Sequence, residues 1–568
     1  MKYQDYKRLS PYTLGKKRAE LVLKNAHVVN VFTGEILDCA VAVQDGVIVG
    51  VGDYEGEQEL DLGGQYLLPG LIDAHLHLES TMVSPNELVS TAARFGTTTF
   101  VVDPHEAANV SGAAGIDYIL DQTAASPANV YVMMPSCVPA TKVDDNGGAF
   151  TAGDMEHYLS NPRILGLGEV MDDDAVVRGD REMFEKLDLF QDYPLDGHAP
   201  YLPPKSLSAY SMAGIRTDHE ATSFDYALEE LRNGIHVHIR EGSAARNETA
   251  IVSGIVKHHI DTTHFSFCTD DKHIEDILRE GHINHNVRLA VSLGMEPVAA
   301  IQMATIHTAR HYGLRTLGAI AAGYQADLVV VDNLRDFRVS RVFHKGVPVS
   351  TDTPKIYPCP KALKQTVHLK ELHAADFLLP IRKKESAVIG LTPGQITTER
   401  LLEQFEQTEN FDCSTHPGFQ KIAAVERHKN TGLIGVGICR GYGIRGGAIA
   451  SSVSHDSHNI IVIGDNERDM ALAVNEITRV QGGYTVVADG AVYETLPLPI
   501  MGLMSDAGFT AVEEKLQRMK KKAMEMGVTP GIAPFIALSF LALPVIPELR
   551  ITPRGLCEVT EKGPKLCK

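Results

Sequence analysis

Apolar and polar positions fall into three regimes along this chain. Residues 19–52, "AELVLKNAHVVNVFTGEILDCAVAVQDGVIVGVG", are rich in Val and Ile and alternate, with turn signals at "TGE" and "DG". Side chains of a strand alternate between two faces, so this pattern predicts short strands with one buried face. The same pattern returns at 326–349, "ADLVVVDNLRDFRVSRVFHKGVPV". The two stretches are expected to pair into one small β-domain from both flanks, residues 1–67 with 312–355.

Between them, apolar runs end near Leu76, Asp103, Pro135, Glu169, His198, His219, Arg240 and Asp270. Helical periodicity fills many of the gaps, as in "SPNELVSTAARFG", "SFDYALEELRNG" and "ETAIVSGIVKHH", with Ser84, Ser223 and Asn247 as capping candidates. Eight strand–helix units in about 200 residues suit a (β/α)8 TIM-like barrel, assigned here to 68–311. An open doubly wound sheet is the alternative. Polar residues at nearly every strand end favour the barrel, where catalytic groups collect at the C-terminal ends of strands. The α/β assignment is completed by a proline-rich linker at 356–380 and a C-terminal α+β domain at 381–568. That domain carries a glycine-dense extended section and a helical "DAGFTAVEEKLQRMKKKAMEMG".

Composition narrows the partners. The 53 basic and 72 acidic residues give a net charge of −19, which disfavours a nucleic-acid partner. Eight cysteines occur with no CxxC pair, so free thiols in a reducing, cytoplasmic compartment are expected. The apolar stretch 531–547 is short for a membrane span and broken by Pro534, Pro544 and Pro547, so no membrane association is expected. A homo-oligomer is expected.

The strand ends carry the chemistry. The first, "GLIDAHLHLES", sets His75 and His77 on one face, with Glu79 behind them if the strand continues. The fourth contributes Glu169, the fifth His198, the sixth His219 and the eighth Asp270. Each alone is ambiguous: a polar contact, a surface acid or, for "TDD", a helix cap. Together they are too many for one tetrahedral zinc and suit two ions. His75, His77 and Asp270 would hold one, His198 and His219 the other, with Glu169 bridging. Asp270 is also the expected proton acceptor. Glu79 is either a proton donor to the substrate or a partner of the histidines. Arg240, Glu241 and His105 are weaker substrate-binding candidates. In the last domain "GYGIRG" matches a nucleotide-binding glycine pattern but opens no helix, and is rejected. "SHDSHN" (His455, Asp456, His458) is read as a hydrogen-bonded turn or as groups reaching the barrel, and is not counted among the ligands.

The motifs "GLIDAHLHLESTMVSP", "VVDPHEAANV", "GLGEVMD", "LDGHAP", "DHEAT" and "SSVSHDSHNIIVIG" resemble those of the amidohydrolase superfamily, and within it the bacterial adenine deaminases. The resemblance spans nearly the whole chain. It implies hydrolysis of adenine to hypoxanthine and ammonia by a metal-bound hydroxide, in purine salvage, with two divalent ions, manganese or iron. Many binuclear relatives bridge their metals with a modified lysine, whereas this chain has Glu169. A cyclic amide hydrolase is the alternative activity, and a barrel without catalysis the alternative class.

Overall fold

The structure is a computed structural model that describes residues 1–567 except 244, 353, 395–396 and 561–562. The two flanking β stretches do meet in one sheet. Leu328–Val331 runs antiparallel to Tyr66–Pro69, which pairs in parallel with Ala19–Asn30. Glu35–Gln44 and Val47–Gly52 extend the sheet by hairpin pairing. Leu67 and Leu328 point into the core of this small domain, and Leu68 and Val329 point towards the barrel core, as period-two alternation requires.

The barrel begins one residue after this sheet, at Leu71–Leu76. Gly70 makes the junction: a Cβ there would come within 1.9 Å of Thr98 Oγ1 and 3.0 Å of the Asp327 Cβ. The first five barrel strands, Leu71–Leu76, Thr97–Val102, Asn129–Met134, Ile164–Val170 and Leu195–Gly197, pair in parallel in chain order. Thr217–Asp218, His236–Arg240 and Phe265–Cys268 form the other arc. A parallel bridge between Leu76 and Asp270 brings the eighth strand end back beside the first.

Helices follow the expected stretches at Pro85–Ala93, Phe224–Arg232 and Glu248–His258. Ser223 caps its helix by accepting from the Tyr226 N–H, whereas Ser84 and Asn247 make no side-chain cap. The Asn247 amide instead ties barrel strand ends together: it accepts from Arg240 N and donates to the His219 and Ala221 carbonyls.

Residues 356–380 hold two short 3-10 turns, Lys361–Lys364 and Ala374–Phe377, with Leu363 and Phe377 buried. The last domain is built on an eight-stranded sheet running from Glu385–Leu391 to Ala491–Pro497. Phe509–Glu525, Ile536–Leu541 and a three-stranded sheet from Leu549 onwards complete it. The glycine pattern at 441–446 leads into the strand Gly447–Ser451, not a helix. Within 531–547 the helix covers only Ile536–Leu541, and no helix among the described residues is long and apolar enough to cross a membrane.

Candidate metal centre

All six expected donors converge at the strand ends. Each is buried, with no more than 8% of its surface exposed. The Glu169 carboxylate divides them. Its Oε1 lies 3.7 Å from His75 Nε2 and 3.3 Å from His77 Nε2. Its Oε2 lies 2.9 Å from His198 Nδ1 and 3.4 Å from His219 Nε2. Asp270 Oδ1 stands 3.1 Å from His77 Nε2 and 3.9 Å from His75 Nε2. Two metal bonds of about 2.1 Å opening at roughly 90° to 135° put their donor atoms about 3 to 4 Å apart. One oxygen of Glu169 therefore faces each of two donor groups, and both groups have the spacing that a divalent ion needs.

Two further observations show that the residues suit a cation. His75 Nε2 is buried with no hydrogen-bond partner among the described residues, a costly arrangement that an ion or bound molecule would relieve. His77 Nδ1 lies 2.8 Å from the Asp103 carbonyl, which sets the tautomer and leaves Nε2 with its lone pair towards the centre. Both carboxylates stay ionised. Burial alone would raise Asp270, but the Arg240 guanidinium holds it well below the usual carboxylate range. Burial works the same way on Glu169 and is outweighed by the imidazoles of His198 and His219.

Local structure explains how the donors reach their places. The first strand ends at Leu76, and Glu79 opens a 3-10 turn, Glu79–Thr81, so the expected continuation of one strand face to Glu79 is not met. Glu79 Oε1 accepts from the Ala107 N–H at the start of the helix His105–Ser111, and its carboxylate does not line the cavity. Burial and the neighbouring Glu106 push Glu79 up to about 7. Gly168 lets Asp103 approach the fourth strand end: a Cβ there would meet Asp103 Oδ2 at 2.2 Å. That oxygen accepts from Glu169 N at 2.9 Å and so fixes the backbone that carries Glu169. Asp270 is no helix cap. The next helix starts at Ile274, and Asp270 sits in the left-handed region at φ +54°.

The weaker candidates separate. His105 lines the cavity, with Nδ1 3.4 Å from Glu169 Oε1. Arg240 also lines it, but its guanidinium is committed to Asp270 Oδ2 at 2.5 Å and to Glu220 Oε2 at 3.1 Å. Glu241 lies off the cavity and pairs with Arg246 at 2.8 Å.

Sequence reasoning passed over two polar lining residues, Glu220 and Asp271, and left two others, His455 and Asp456, outside the ligand set. The first two adjoin His219 and Asp270, and their proximity to these strand-end donors was the available signal. The other two come from "SHDSHN" in the last domain, so this motif does reach the barrel. His455 Nδ1 is 3.2 Å from Glu106 Oε1. Glu106, His455 and His458 also cluster within 4.8 Å. Burial lowers His458 to about 3, so it is neutral, and Ser454 N–H donates to its Nδ1. Its Nε2 therefore carries the proton and cannot ligate an ion, which leaves this cluster short of a ligand set.

Residues 66–349 match the amidohydrolase family, and residues 395–563 match the adenine deaminase C-terminal domain. An adenine deaminase of Desulfitobacterium hafniense is 54% identical over 99% of both chains. One of Carboxydothermus hydrogenoformans, adenine deaminase 2, is 44% identical over 98% of both. A third, from Geobacillus kaustophilus, is 40% identical over 96% of both.

Proposed function

This chain belongs to the adenine deaminase family of the amidohydrolases, and we propose that its six clustered donors hold two divalent ions, manganese or iron(II), bridged by Glu169. Its reaction is the hydrolytic removal of the 6-amino group of adenine, giving hypoxanthine and ammonia. The observation that carries the binuclear reading is the division of Glu169, with one oxygen towards His75 and His77 and the other towards His198 and His219.

When bound, such ions supply Lewis acidity and a water of lowered pKa. The protein's own groups do the rest. Asp270 presents Oδ1 to the centre while Arg240 holds Oδ2, so one carboxylate oxygen is fixed and the other is aimed. Asp270 takes the proton of the water that attacks C6 and returns it towards the departing amine. Glu220 keeps Arg240 in place through a two-point contact. Glu79 acts from behind the cavity: by holding the Ala107 N–H it anchors the helix that carries His105. In this reading Arg240 positions Asp270 more than it binds substrate, and Glu241 only braces Arg246. A cytoplasmic enzyme suits the free state of all eight cysteines, and a homo-oligomeric state belongs to the same reading.

The test is ammonia release from a panel of 6-substituted purines, using protein loaded separately with manganese, iron(II) and zinc. Adenine should be the best substrate, with manganese or iron(II) protein the most active. No ammonia from adenine with any metal would overturn the reading.

A further inference from the structure

The cavity has a second wall, and the C-terminal domain builds all of it. Phe540, Leu543 and Ile546 line it. They form a small apolar cluster of their own, apart from the main core. The segment is held by Arg550, which is fully buried and donates to the carbonyls of Ile546 at 2.7 Å, Phe540 at 2.9 Å and Pro547 at 2.6 Å. The roof is joined to the loop bearing Asp456. His455 N donates to the Ser539 carbonyl at 3.1 Å, and the Ser539 hydroxyl donates to the Val453 carbonyl at 2.8 Å. The His455 ring stacks on Phe540 with centroids 5.0 Å apart. On the far side of the loop, His428 Nε2 lies 2.7 Å from the Ser457 carbonyl.

This fixed loop sets Asp456 into the cavity wall with 3% of its surface exposed. Its Oδ1 has two imidazoles nearby, His105 Nε2 at 3.7 Å and His455 Nδ1 at 3.8 Å. Its Oδ2 is buried with no hydrogen-bond partner among the described residues. An ionised carboxylate can only accept hydrogen bonds, so Asp456, which lines the cavity with acceptor capacity to spare, is placed to take a donor from what fills it. Free adenine has two kinds of N–H. The 6-amino group is at the reacting carbon and belongs at the metal wall. The remaining donor is the imidazole N–H, on N9 or N7. The other ring nitrogens carry lone pairs, which a carboxylate repels.

We propose that Asp456 accepts a hydrogen bond from the imidazole N–H of the bound purine beneath the apolar roof, and that this contact selects the free base over N9-substituted purines. The proposal rests on the deaminase reading above. A substituent on N9 removes the hydrogen and leaves a buried carboxylate oxygen without a partner, a loss that sites built on hydrogen bonds punish strongly.

The test compares adenine with 9-methyladenine on the metal-loaded enzyme and on Asp456→Ala. In the variant kcat/KM for adenine should fall about ten- to hundredfold, mainly through KM, which is the scale of one hydrogen bond to a charged group. The value for 9-methyladenine should stay within about twofold, so the discrimination narrows. If both substrates lose the same factor, Asp456 has only a structural role and the proposal is wrong. A variant that does not fold leaves a second measurement on the wild-type enzyme: purine should inhibit adenine turnover at least about tenfold more tightly than 9-methylpurine, and equal inhibition would overturn the proposal. Failure of the wild-type enzyme to deaminate adenine would count against the deaminase reading instead.

Discussion

Asp270 concentrates the chemistry at the residue scale. Its left-handed backbone, its contact with His77 and its ion pair with Arg240 leave it one orientation. Asparagine preserves shape and one oxygen donor but accepts no proton. Asp270→Asn should therefore keep its fold and much of its metal while kcat falls about a hundred- to ten-thousand-fold. Near-normal turnover in a metal-replete variant would remove Asp270 from proton transfer. Glu248 poses a different problem. It is fully buried, and both carboxylate oxygens lack hydrogen-bond partners among the described residues. Burial and the nearby Glu241 raise it well above 4.5. The fold therefore favours its protonated form, so its stabilising contribution is complete below the ordinary value of 4.5 and is lost as pH climbs towards the raised one. Glu248→Gln removes the titration, so urea unfolding should show the variant gaining on the wild type between about pH 5 and 8, by up to about 1.4 kcal/mol per pH unit. Parallel pH curves would refute this. At this scale the donor residues were legible because each follows an apolar run. Glu79 was misplaced because the residue count does not show where a strand stops.

Elements make the site by ending in the right places. The first and eighth strands stop at Leu76 and Cys268, so His77, one residue beyond the first, and Asp270, two beyond the eighth, face each other at 3.1 Å. The period-two and helical patterns made these units readable from sequence, since burial on both sheet faces leaves near-continuous apolar runs. The roof was not readable in this way. Residues 531–547 read only as an apolar stretch too short and too proline-broken to span a membrane, because what they cover is brought near by tertiary contacts. Arg550 offers a test of that element. Arg550→Met removes the side chain that ties the Phe540, Ile546 and Pro547 carbonyls together, so amide exchange across 540–547 should speed up at least about tenfold. KM for adenine should rise by a larger factor than kcat falls. Unchanged exchange would show that the roof does not depend on the arginine.

Across the whole molecule, the barrel and the C-terminal domain share one apolar core. A single cluster includes Leu76 and Leu167 from barrel strands together with Ile449, Leu516 and Ile551 from the last domain. Arg554 adds a two-point ion pair to Asp145 across the boundary, at 2.8 Å for each contact. The last domain thus completes the cavity that the barrel opens, and "SHDSHN" has its place in that wall. The central claim remains the bridge at Glu169. Its most direct test is titration of metal-free protein with manganese, following ammonia release from adenine beside bound metal. Activity should rise until two equivalents are bound per chain, and Glu169→Ala should bind fewer and stay nearly inactive. Full activity at one equivalent would contradict the account.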